Sequence, residues 1–193
     1  MKIGVLAMQG AFREHGKALE SCGCGPVEVR KAEHLEGLAG LILPGGESTA
    51  IGKLLVDFGL LDKIQALGRK GFPIFGTCAG LILLAKDIVG SNQPRLGLMD
   101  ITAKRNAYGR QVDSFEIDLP VPEIGDNPIR AVFIRAPYIE KVGPEVKVLA
   151  SFQEKVILAR QGNLLAAAFH PELTEDFRLH KYFVNMCHDY IHS

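Results

Sequence analysis

Three times in its first 85 residues the chain repeats one rhythm: a short apolar run rich in strand formers, a glycine-containing break, and a helical pattern. Lys2 to Ala7 (KIGVLA) is followed by Gln9-Gly10 and a helical stretch from Ala11 to about Ser21. Ala39 to Leu43 (AGLIL) is broken by Pro44-Gly45-Gly46 before a helix that begins near Ser48. Phe72 to Phe75 (FPIF) breaks at Gly76 and resumes as a helix over Ala79 to Ala85, with a further strand at Val27 to Arg30 and a helix around Leu61 to Lys70. Strands that alternate with helices pair in parallel through crossovers, so a sheet covered on both faces is expected.

After Leu96 the rhythm changes. Ser114 to Leu119, Ile129 to Ile134, Val146 to Ser151, Lys155 to Arg160 and Asn163 to Phe169 are strand-like segments separated by Pro, Gly and Asn. Gln161-Gly162-Asn163 is a tight hairpin turn, which makes part of the sheet antiparallel. An amphipathic helix from about Asp176 to Tyr190 closes the chain. Without a repeat or linker, residues 1–193 are expected to form one three-layer α/β domain with a mixed, mostly parallel central sheet. Such a length buries roughly 70% of the unfolded chain's surface, so neither metal nor disulfide is needed for stability.

Lys+Arg and Asp+Glu number 22 each, which disfavours a nucleic-acid binder of the basic-patch kind. The longest apolar runs fall far short of the ~18 residues a membrane span needs. Four cysteines and no signal-peptide pattern point to a reducing, cytoplasmic setting. Cys22 and Cys24 read as exposed loop thiols.

The chemistry concentrates in FPIFGTCAGLILLA, where a strand meets a helix through Gly76-Thr77-Cys78-Ala79-Gly80. This G-x-C-x-G is the thiol counterpart of a nucleophile elbow, a sharp turn that lifts its central side chain to the sheet edge and sets it at a helix N-terminus. A buried small cysteine fits the same residues. Ninety-two residues on, AAAFHPE ends a small-residue strand in His170-Pro171-Glu172, a candidate base and its orienting carboxylate, against which a satisfied strand-end histidine beside a capping glutamate is the lesser alternative. The order Cys78, His170, Glu172 departs from the nucleophile–acid–histidine order of α/β-hydrolases. LPGGEST, Leu43 to Thr49, offers backbone N–H groups to an oxyanion, or a plain helix cap by Glu47 or Ser48. It lacks the spacing of a phosphate loop, and no metal-ligand motif occurs elsewhere.

Together, Cys78 in GTCAG, His170 and Glu172 in HPE, and the PGG of Pro44 to Gly46 resemble the class I, triad-type glutamine amidotransferases. IGVLAMQGAFREH, LGLMDITAKRNAYGRQVDSFE, FIRAPYIE and FHPELTEDFRLHKYF extend the similarity over nearly the whole chain to one subgroup, the glutaminase subunits of pyridoxal 5'-phosphate synthase. The resemblance implies a flavodoxin-like fold and no cofactor. It also implies hydrolysis of L-glutamine through a Cys78 thioester, with His170 as general base and acid and Glu172 orienting it. Gly46, Glu47, Ser48, Arg105, Ile134 and Arg135 would contact glutamine. Gln9, Gly10, Gly46 and Ala79 would form the oxyanion pocket and an activation loop. Ammonia would pass to a synthase subunit in a large hetero-oligomer with a dodecameric synthase core. A glutaminase serving another acceptor synthase, or a non-catalytic binding protein on the same fold, stays open. His180, Cys187 and His188 on the last helix read as packing or surface residues. His15 reads as either a solvated helix residue or part of an interface.

Overall fold

The computed structural model describes residues 1–105 and 114–193, so residues 106–113 of the RNAYGRQVDSFE stretch lie outside the described residues. The first half is built on parallel strands β1 (Lys2–Leu6), β2 (Gly25–Val29), β3 (Leu41–Leu43) and β4 (Ile74–Thr77). Helices α1 (Phe12–Ser21), α2 (Ser48–Asp57) and α3 (Leu61–Arg69) form the crossovers, and α4 (Ala79–Leu84) follows β4 directly. The second half supplies β5 (Ala85–Ile88), β6 (Met99–Lys104), β7 (Ser114–Leu119), β8 (Ile129–Ile134), β9 (Tyr138–Val142), β10 (Lys147–Phe152), β11 (Lys155–Gln161) and β12 (Leu164–Ala167). Helix α5 (Arg178–Ile191) ends the chain. None of these helices is long and apolar enough to cross a membrane.

The large sheet runs β2-β1-β3-β4-β12-β11-β9-β6-β5, with β10 paired to β11, and β7–β8 form a separate two-stranded ribbon. From β2 to β12 every pairing is parallel; beyond β12 the sheet is mostly antiparallel, as the expected hairpin at Gly162 (φ +56°) requires. Phe75, Phe133, Phe169 and Phe183 are fully buried, and Phe115 stacks on Phe133 at 4.7 Å between ring centroids, which fixes the ribbon against the core.

The expected elements form with shifted ends. β4 begins two residues later than the sequence suggests and runs up to Thr77, so no residue separates strand from Cys78. Strands β5, β6 and β9 were not among the segments expected. β5 follows α4 with no Gly or Pro between them, so the apolar pattern gives no boundary. Cys24 is not an exposed loop thiol: Gly23, at φ +78°, turns the chain so that Cys24 joins the core, while Cys22 is half-buried.

Candidate active site

Four loops converge at one edge of the sheet because they follow four adjacent parallel strands. β1, β3, β4 and β12 lie side by side and point the same way, so the residues after their C-terminal ends meet there. After β1 comes Gln9-Gly10; after β3, Pro44 to Glu47; after β4, Cys78; after β12, His170. The register is close, with Thr77 opposite Ala167, and the Cys78 N–H donates to the Ala167 carbonyl at 2.8 Å.

Cys78 occupies the elbow that its flanking glycines imply. Its φ of +52° and ψ of −104° are disfavoured for a residue bearing a Cβ, a strain the surrounding packing holds in place. A Cβ on Gly80 would run into the Leu43 carbonyl oxygen, and one on Gly76 into the Gly80 carbonyl, so β3, β4 and α4 approach more closely than any side chain allows. We expect Gly80→Ala to destabilise the protein by about 3 kcal/mol through overpacking, measured by urea unfolding. Parental stability would show that the elbow can relax. Ala79 is the first residue of α4, so its N–H has no acceptor within the helix and is open to an oxyanion.

His170 and Glu172 are both buried, 8% and 6% exposed. The His170 backbone is pinned by its N–H donating to the Val132 carbonyl of β8 at 2.8 Å. Its Nδ1 sits 2.7 Å from Glu172 Oε1, which leaves Nε2 free to serve the neighbouring Cys78 thiol. Burial works against charge on His170. Hydrogen bonds and charge from Cys78 and Glu172 outweigh it and raise the pKa to about 10. Gly45 makes the approach possible, since a Cβ there would lie 2.5 Å from His170 Cε1 and 3.5 Å from Cys78 Cβ.

A cavity of about 460 Å³ opens onto the sulfur. It is lined by Gly46, Glu47, Ser48, Cys78, Ala79, Arg105, Ile134, Arg135 and His170, and also by Ile82 and Pro137, which the sequence did not single out. Every residue expected to contact glutamine thus borders one space with the candidate nucleophile. Arg105 is half-buried: Nη2 donates to Thr49 Oγ1 at 3.3 Å, and Nε is buried with no hydrogen-bond partner among the described residues. Arg135 lies just past β8 at φ +43°. Glu47 caps α2, accepting from Thr49 N at 3.1 Å and Ala50 N at 2.7 Å. Although burial opposes charge on its carboxylate, these bonds and the nearby Arg105 hold its pKa low. Gln9 Oε1 accepts from Glu47 N at 2.7 Å, which ties the first loop to the second. Gln9, Gly10 and Glu172 do not line this cavity; Gln9 and Gly10 are exposed and Glu172 is buried.

His15 corrects an expectation. It is neither solvated nor at an open surface but fully buried, directly behind Glu172. Its spacing from Ala18 and Leu19, three and four residues on, places it on the apolar face of α1, which is the signal that would have found it. His180 and Cys187 are packing residues of α5 as expected, and His188 is exposed.

Residues 5–189 match the SNO glutamine amidotransferase family. The pyridoxal 5'-phosphate synthase subunit PdxT of Moorella thermoacetica is 62% identical over 186 residues, covering 96% of this chain and 99% of that protein. The subunit of the same name from Pelotomaculum thermopropionicum is 63% identical over 187 residues, covering 97% and 95%. A crystal structure of a glutamine amidotransferase superposes with a TM-score of 0.92 at 53% identity, covering 96% of this chain and 98% of its own. PurLQS of Thermotoga maritima, at 18% identity and a TM-score of 0.73 over 98% of both chains, shares the fold. The chain belongs to the SNO glutamine amidotransferase family.

Proposed function

We propose that this chain hydrolyses L-glutamine to L-glutamate and ammonia and supplies the ammonia to a pyridoxal 5'-phosphate synthase subunit for vitamin B6 synthesis. The observation that carries the reading is the placement of His170 between Glu172 and Cys78 at the mouth of a cavity lined by Arg105 and Glu47. In this reading the Cys78 sulfur attacks the side-chain amide carbon, and the oxyanion that forms takes hydrogen bonds from Ala79 N–H and the Gly46 stretch. His170 gives its proton to the departing nitrogen, so the C–N bond breaks, ammonia leaves and a γ-glutamyl thioester remains. Neutral His170 then takes a proton from water as that water attacks the thioester, and glutamate leaves with Cys78 restored. Glu172 holds the imidazole in one orientation and supports its charge throughout. The Arg105 guanidinium suits the substrate's α-carboxylate, with Ser48, Ile134 and Arg135 completing the pocket.

The partner in this reading is a synthase subunit that forms a dodecameric core in the cytoplasm, and the chain needs no cofactor of its own. A coupled assay tests it: glutamine, a pentose phosphate and a triose phosphate are combined with the synthase subunit, and absorbance of the pyridoxal product is followed. Product that requires both this chain and glutamine supports the reading. No glutamine-dependent pyridoxal product with this synthase, together with glutamine-dependent amination by a synthase for a different acceptor, overturns it.

Gln9 and Gly10 are proposed to act as a switch. Gln9 now holds the Glu47 N–H, and Gly10, at φ +84°, lets the loop change conformation when the partner docks. Glutamine hydrolysis should be about 10²-fold faster with the synthase subunit present, the worth of one oxyanion donor. Equal steady-state rates with and without it would remove the switch.

A further inference from the structure

Behind Glu172 lies a buried group that the proposed chemistry leaves unused. His15 is 0% exposed and is met on three sides: Nδ1 is 2.8 Å from His180 Nε2, and Nε2 is 3.1 Å from Thr77 Oγ1 and 3.4 Å from Glu172 Oε2. Thr77 immediately precedes Cys78, and Glu172 Oε2 is buried without a hydrogen-bond partner among the described residues. The one imidazole therefore touches both the residue next to the nucleophile and the carboxylate that orients the base.

The proton positions follow from what each atom can tolerate. Burial, together with His180 and His170, holds the His15 pKa well below its ordinary value, and burial lowers that of His180 to about 4, so both rings are neutral at pH 7 with one N–H each. His180 Nδ1 is buried and has no partner among the described residues. A proton there would be a buried donor with no acceptor, and it would oblige His15 to point a bare lone pair at a carboxylate oxygen. With the His180 proton on Nε2, the bond runs from His180 Nε2–H to His15 Nδ1, and the His15 proton on Nε2 faces Thr77 and Glu172. Every polar contact then has the right sign.

Resting on the glutaminase reading, we propose that His15 is a positioning residue: its Nε2–H, directed by His180, hydrogen-bonds Thr77 and sets the positive edge of the ring 3.4 Å from the outer oxygen of Glu172, and so steadies the carboxylate that aligns His170. The role differs from filler, because an apolar ring of the same size would pack the same space and leave Glu172 Oε2 unsupported.

Two measurements decide it. Nitrogen-15 NMR of the imidazoles in the full chain at pH 7 should show His15 and His180 neutral and protonated on Nε2. A His15 proton on Nδ1, or a charged His15, overturns the proposal even if no variant folds. In the complex with the synthase subunit, His15→Phe should lower kcat for glutamine hydrolysis about 10-fold, through loss of the Thr77 hydrogen bond and of the N–H dipole facing a buried carboxylate, with KM unchanged. His15→Gln, which restores an N–H near the lost Nε2, should recover most of it. Parental kcat in His15→Phe, or equal losses in both variants, overturns the proposal. Failure of the parental complex to release ammonia from glutamine would instead sink the glutaminase reading, since the NMR result does not depend on activity.

Discussion

The Cys78→Ala protein is expected to fold, to bind its synthase partner and to release no ammonia from glutamine. The substitution removes one sulfur atom from the cavity wall and keeps a Cβ at the same strained φ of +52°, so elbow strain is unchanged. Thermal unfolding should move little, by the equivalent of ~1 kcal/mol or less. Activity should fall on the order of 10⁶-fold, the scale seen when a covalent nucleophile is deleted. Ammonium salts should restore pyridoxal product formation by the complex, because the synthase step takes ammonia whatever its source. If added ammonia failed to rescue product, the defect would lie outside glutamine hydrolysis and the role given to Cys78 would be wrong.

Glu172→Gln should produce the second largest loss, on the order of 10³- to 10⁴-fold, with the side-chain volume almost unchanged. The carboxylate does two things that an amide cannot. It accepts from His170 Nδ1 as a charged partner at 2.7 Å, and it raises the imidazole pKa against the effect of burial. The pH dependence of stability supplies an independent reading. A folded-state pKa of about 10 exceeds the ordinary value of 6.5, so His170 stabilises the fold fully below about pH 6.5 and loses that contribution as pH rises toward 10. His15 and His180 work in the opposite sense: their folded pKa values are lowered, the unfolded chain binds more protons, and stability falls as pH drops below about 6.5. The melting temperature should therefore decline on both sides of neutrality. Glu172→Gln should flatten the alkaline side, and an unchanged alkaline slope would show that Glu172 does not support the charge on His170.

The candidate site was more legible in the sequence than the sheet that assembles it. G-x-C-x-G announces itself because the close contacts of Gly76 and Gly80 admit no Cβ, and the small residues before His170-Pro171-Glu172 mark a strand squeezed between neighbours. Chain order alone gives no reason for Cys78 and His170 to meet. That follows from β12 pairing in parallel with β4 across a separation of about ninety residues, a register that depends on packing rather than on any local signal. The antiparallel half was harder to divide. β9 has only one fully buried residue, Ile139, and β6 alternates buried with half-buried residues, so neither carries the dense apolar signature of the parallel strands. His15 and Cys24 were misjudged for one reason. Each stands among polar or glycine residues in sequence, while its side chain is carried inward by helix phase in one case and by a glycine turn in the other.

The most direct test of the central claim is chemical labelling of the sulfur. The complex is incubated with a diazo-ketone analogue of glutamine, and the digested chain is read by mass spectrometry. A single adduct on the peptide containing Cys78, suppressed by excess glutamine and lost in His170→Ala, is the result expected of a nucleophile activated by that imidazole. An unmodified Cys78, or labelling that persists unchanged without His170, would contradict it.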